Sequence, residues 1–89
     1  MLIYQFEIAQ YMREDSENDG VVIKTFATIE DFTAWLQSMP YDELSKYDVF
    51  TMDVTNPKDP IFCGSISCDE IDPNNTVDIK LSLFLYVGN

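Results

Sequence analysis

The chain has 89 residues, enough for a single domain (1–89) that buries roughly 60–65% of its unfolded surface in one modest core. Hydrophobic residues make up 46% and aromatics 13%, which excludes the disordered class, where high charge accompanies few apolar side chains. Sixteen acidic side chains stand against five basic ones and no histidine, a formal net charge of −11 that repels nucleic acid and anionic membranes and attracts basic surfaces.

Residues 2–12 alternate, with Leu2, Tyr4, Phe6, Ile8 and Met12 on one face and Gln5 and Glu7 on the other, the pattern of a half-buried strand. Arg13-Glu14-Asp15-Ser16-Glu17-Asn18-Asp19-Gly20 reads as a polar turn. Val21 to Ala27 reads as a second strand, forming a hairpin with the first. The period then changes. Ile29, Phe32, Trp35, Leu36 and Met39 recur at helical spacing, with Thr28 as N-cap, Glu30 and Asp31 in the first turn and Pro40 as the stop.

Residues 41–46 read as a short turn, and 47–55 as a third strand with Phe50, Met52 and Val54 inward. Asn56 to Pro60 is a turn, and 61–68 a fourth strand loosened by Gly64. Residues 69–75 form an acidic connection. The alternation of Val77, Ile79, Leu81, Leu83, Leu85 and Val87 predicts a fifth strand over 76–87, with Phe84 and Tyr86 on its other face. The expected class is α+β: an antiparallel sheet of about five strands with one helix packed on it, in the order ββαβββ.

Antiparallel order has a consequence for charge. It places the 13–20 turn, residues 40–46 and the 69–75 connection at one end. Glu14, Asp15, Glu17, Asp19, Asp42, Glu43, Asp69, Glu70 and Asp72 then gather there, while Glu30, Asp31 and Asp59 lie at the other. Tyr41 and Tyr47 flank the acidic end and have the composition of interface anchors.

Signatures of chemistry are weak. The Asp15–Gly20 run resembles the start of a calcium loop, but its twelfth position is Phe26 instead of a bidentate Glu. Cys63 and Cys68 cannot complete a four-ligand zinc site, and without histidine no Ser-His or Cys-His pair exists. No phosphate-binding glycine-rich loop occurs. The expectation is a protein without enzymatic activity, cofactor or metal. The scattered Arg13, Lys24, Lys46, Lys58 and Lys80 argue against direct nucleic-acid binding. No stretch approaches the ~20 apolar residues of a membrane span, and Met1 to Glu7 lacks a basic leader pattern, so a cytoplasmic location is expected.

In size, charge, α+β order and acidic turns such as Glu14-Asp15-Ser16-Glu17-Asn18-Asp19, the chain resembles small acidic counter-defence proteins of phages and mobile elements, the anti-CRISPR and antirestriction DNA mimics. The resemblance is one of type and spans the whole chain. It implies an inhibitor, acting in the host cytoplasm, that occupies a basic, nucleic-acid-binding surface of a host protein or nucleoprotein complex. Two other readings share the sequence features: an immunity protein for a nuclease toxin, and a structural subunit that forms a homodimer through Phe84 and Tyr86.

Overall fold

The structure, a computed structural model, describes residues 2–10 and 21–84. Strands β1 (Tyr4–Gln10) and β2 (Val21–Phe26) precede helix α1 (Ile29–Ser38) and a 3-10 turn (Tyr41–Lys46). Strands β3 (Tyr47–Asp53) and β4 (Ile61–Ser67), a second 3-10 turn (Cys68–Glu70) and helix α2 (Thr76–Leu83) follow. The sheet order is β2-β1-β3-β4, and every neighbouring pair is antiparallel. The class is therefore α+β, with an open four-stranded sheet and two helices in place of five strands and one helix.

The first helix forms as its sequence dictates. Thr28 is extended at the N-cap and its hydroxyl accepts the Asp31 N–H at 3.1 Å. Phe32 and Leu36, four residues apart, point inward and are fully buried, with Ile29, Trp35 and Met39 packed beside them. The helix ends at Ser38, two residues before Pro40, whose ring disfavours helical geometry in the residue preceding it.

The segment expected as a fifth strand is instead α2. Asn75 caps it, its side-chain oxygen accepting the Asp78 N–H at 3.1 Å. The period-two pattern contains helical pairs as well: Ile79 and Leu83 share the buried face, while Val77 and Leu81 share an exposed one. An apolar residue at every second position therefore fits either element, and the cap decides. Phe84 ends the helix, and its ring packs edge-on against Tyr4 at 5.2 Å and Phe6 at 5.9 Å. It is part of the packing and not of an open apolar face. Tyr86, like Leu85 and Val87, lies outside the described residues.

The parity of β3 also differs from expectation. Phe6 pairs with Thr51 and Ile8 with Val49, so Val49 and Thr51 face the helices and are buried. Phe50 and Met52 lie on the opposite, open face, where Phe50 meets Phe62 edge-on at 5.8 Å. Thr51 is tolerated inside because its hydroxyl donates to the Leu83 carbonyl at 2.8 Å, one of the carbonyls that the end of α2 leaves without an intrahelical partner. At the N-terminal end, Leu2 is exposed and does not join the inward stripe.

Both helices lie on one face of the sheet. Phe32 occupies the centre of the core, with ring centroids 6.1 Å from Phe26, 6.2 Å from Trp35 and 6.4 Å from Phe6. Ile8, Leu44, Val49, Cys68, Ile71, Ile79 and Leu83 complete it. The Gln37 amide donates to the Pro73 carbonyl at 2.9 Å, tying the end of α1 to the start of α2. No helix among the described residues is long and apolar enough to cross a membrane.

The Thr51–Leu83 bond is the polar latch between sheet and α2. Thr51→Val keeps the shape and strands the carbonyl, so stability should fall by about 1–3 kcal/mol. In urea unfolding this appears as a lower midpoint at unchanged slope. Thr51→Ser should recover part of the loss; equal stability of the Val variant and the parent would show that the latch contributes nothing.

Candidate functional site

Register fixes what shares an end with what. Gln10, at the top of β1, pairs with Val21 on one side and Tyr47 on the other. Asp48 pairs with Ser67. The strand ends that flank residues 11–20, the turn Tyr41–Lys46 and the turn Cys68–Glu70 thus lie together, and the two 3-10 turns touch. Asp42, Glu43, Asp69 and Glu70 are carried by these turns, and Asp72 follows directly. Glu14, Asp15, Glu17 and Asp19 lie outside the described residues, as does the calcium-loop-like run.

The carboxylates at this end differ in how far they are committed to the fold. Glu43 is paired with Lys46 at 2.8 Å, a bridge between two partly exposed side chains that contributes little to stability. Asp69 accepts the Ser67 hydroxyl. Asp72 accepts the Asn74 N–H at 2.9 Å and so shapes the turn before α2. Asp42 and Glu70 are exposed, and none of the described residues hydrogen-bonds their carboxylates. Like charges collected this way repel one another and gain when a cationic surface approaches.

Tyr41 and Tyr47 separate. Tyr41 is 79% exposed at the start of the turn, an amphipathic ring beside Asp42 and Glu43 with little of its surface used by the fold. Tyr47 is half-buried, its ring edge-on to Trp35 at 5.4 Å, and is largely occupied in packing.

Two acidic residues were missed by sequence reasoning. Asp48, the second residue of β3, lies at this same end, and the element order alone would have placed it there. Asp78 accepts the Asp72 N–H at 3.0 Å and braces the acidic turn from α2. It was hidden by the strand reading of 76–87, and the Asn75-x-x-Asp78 capping spacing was the available signal.

Glu30 and Asp31, in the first turn of α1, and Asp59, in the β3–β4 connection, fall at the opposite end. Asp53 joins them there; bonds from the Thr55 hydroxyl and from the Thr55 N–H, the latter at 2.9 Å, hold its carboxyl below the usual range. Among the described residues no group of His, Cys, Asp and Glu is arranged to hold a metal ion.

Both cysteines are free thiols. Cys68 sits beneath the acidic turn, fully buried, and burial, followed by the charges of Asp48 and Asp69, pushes its thiol up to about 12. Cys63 is partly exposed in β4. Compared with known proteins, the chain matches no family model, no curated protein and no solved structure.

In the native protein near pH 8.5, the ordinary thiol range, a disulfide reagent should modify Cys63 and leave Cys68 until denaturant is added. Equal rates at the two would contradict the burial of Cys68. The folded state holds the Cys68 proton more tightly than the unfolded chain. Its contribution to stability is therefore complete below about pH 8.5 and declines as pH rises toward about 12. Cys68→Ala should lack that decline.

Proposed function

We propose that the domain is a non-enzymatic, protein-binding inhibitor whose acidic end docks on a basic, nucleic-acid-binding surface of a host defence complex and occludes it. The observation that carries this reading is the register of the central strands. It sets Asp42, Glu43, Asp48, Asp69, Glu70 and Asp72 at one end, with Lys46 the cation beside them among the described residues.

The scale of the charge supports a nucleic-acid-like role. Duplex DNA carries one charge per about 1.7 Å of axis, so eleven net charges correspond to roughly 19 Å of duplex. The domain measures 38 × 32 × 21 Å, extents that run from about that length to about twice it. Exposed carboxylates on short turns present acceptor oxygens of the kind that arginine and lysine bind in phosphate. Tyr41 adds a ring that can be desolvated at the contact, the type of anchor that concentrates binding energy. Long-range attraction then speeds encounter, and the contact competes with the partner's nucleic acid for the same cations. An anti-CRISPR or antirestriction role in the host cytoplasm accords with these features and with the type resemblance in the sequence. Neutralisation of a nuclease toxin would use the same surface and the same physics.

The test is capture of partners from host lysate on the immobilised full chain, followed by salt elution. A basic nucleic-acid-binding protein should be held at about 50 mM salt and released toward about 200 mM. Reversal of Asp42, Asp69, Glu70 and Asp72 to lysine should weaken its affinity at least about tenfold, or about 1.4 kcal/mol. Reversal of Glu30, Asp31 and Asp59 should not. Equal loss from both sets, or retention independent of salt, would refute the assignment.

A further inference from the structure

We propose that two copies of the chain associate through the outer edge of β4, so that the four-stranded sheet of one continues antiparallel into that of the other across a twofold axis. The contact borders the acidic end at the Asp69–Glu70 turn but does not rest on the function proposed for it.

The first support is the composition of the edge. Every other strand carries charge: Glu7 in β1, Lys24 in β2, Asp48 and Asp53 in β3. Strand β4, Ile61-Phe62-Cys63-Gly64-Ser65-Ile66-Ser67, carries none and contains no proline, although it is an edge. Charged side chains and prolines are the usual guards of a sheet edge against pairing with another chain. A bulge at Cys63, next to Gly64 with φ 147°, interrupts the strand once. From Gly64 to Ser67 the register with β3 is unbroken. Beside it, Ile61 and Phe62 are 57% and 58% exposed.

The second support is charge. Two chains of net charge −11 repel one another, and they meet most readily where carboxylates do not face carboxylates alone. Centred on Gly64, the middle of β4, antiparallel pairing with the copy sets residues 58–60 before one strand beside residues 68–70 after the other. Lys58, exposed in the β3–β4 connection, then approaches the Asp69–Glu70 turn of the second copy, and the twofold axis repeats the contact. Without Lys58, Asp59 would meet Asp69 and Glu70 with no cation between them.

The other surfaces are less suited. Strand β2, the other edge of the sheet, carries Lys24, the kind of charge that guards an edge against pairing. Face-to-face packing of the open sheet surfaces would enclose Glu7, which pairs with Phe50 on that face, together with Asp48. In the β4 arrangement the two acidic ends point in opposite directions, and the Tyr41–Lys46 turn of each lies away from the shared edge.

The mass of the full chain in solution tests this. Sedimentation equilibrium over a concentration series at physiological salt should give twice the 10.3 kDa of the chain at the upper end. Ser65→Lys, at an exposed position on β4, should weaken association at least about tenfold. Lys58→Glu and Glu70→Lys should each weaken it several-fold, and an equimolar mixture of the two should associate again, because each variant then supplies the charge the other lacks. A parent chain that stays monomeric up to about 1 mM, corresponding to about −4.1 kcal/mol, would overturn the proposal. So would an unchanged Ser65→Lys dimer, or a mixture that fails to recover. Partner capture does not depend on mass, so failure here leaves the acidic-end reading standing.

Discussion

Strand β1 is hydrogen-bonded on both edges, to β2 along Phe6–Gln10 and to β3 along Tyr4–Gln10, and both partners run against it. The rest of the domain follows from that two-sided pairing. It puts Phe6 and Ile8 in the middle of the sheet, where α1 and α2 cover them. It makes β2 and β3 parallel to each other with β1 between, so the chain must cross β1 by way of α1. It also brings Gln10, Val21 and Tyr47 to one end. The acidic turns are there because the strands that feed them are paired in this register.

Core and acidic end then divide the work. Phe32, Phe26, Phe6 and Trp35 hold helix to sheet through ring contacts that need no charge. The carboxylates are left to short turns whose own geometry they help to make: Asp72 and Asp78 shape the approach to α2, and Asp69 takes the Ser67 hydroxyl. Burial of Leu44, Cys68 and Ile71 directly beneath these turns anchors them to the core. A partner would thus meet a surface whose backbone is already arranged, which lowers the ordering cost of binding.

Much of this was legible in the chain. Thr28, the helical recurrence of Phe32 and Leu36, and Pro40 define α1 with little ambiguity. The alternation of Tyr4, Phe6 and Ile8 defines β1. The sharing of one end by the strand boundaries needed nothing beyond antiparallel order. Two features were hidden for physical reasons. Val77, Ile79, Leu81 and Leu83 satisfy a strand pattern and a two-sided helix equally well, and only the Asn75 cap separates them. In β3 the larger apolar side chains, Phe50 and Met52, suggested the wrong face, because a buried threonine is acceptable when a helix carbonyl accepts a hydrogen bond from its hydroxyl. Exposure of Tyr41 and packing of Tyr47 likewise depend on where Trp35 lies, which sequence spacing does not reveal.

Under the proposed function, cationic partners should engage one end of this domain and not its acidic surface at large. Backbone amide shifts of the isotope-labelled chain, followed by NMR as an arginine-rich peptide is added at physiological salt, measure this directly. The shifts should concentrate on Tyr41, Asp42, Glu43, Asp69, Glu70 and Asp72 and fade as salt is raised. Shifts of equal size at Glu30, Asp31, Asp53 and Asp59 would contradict it.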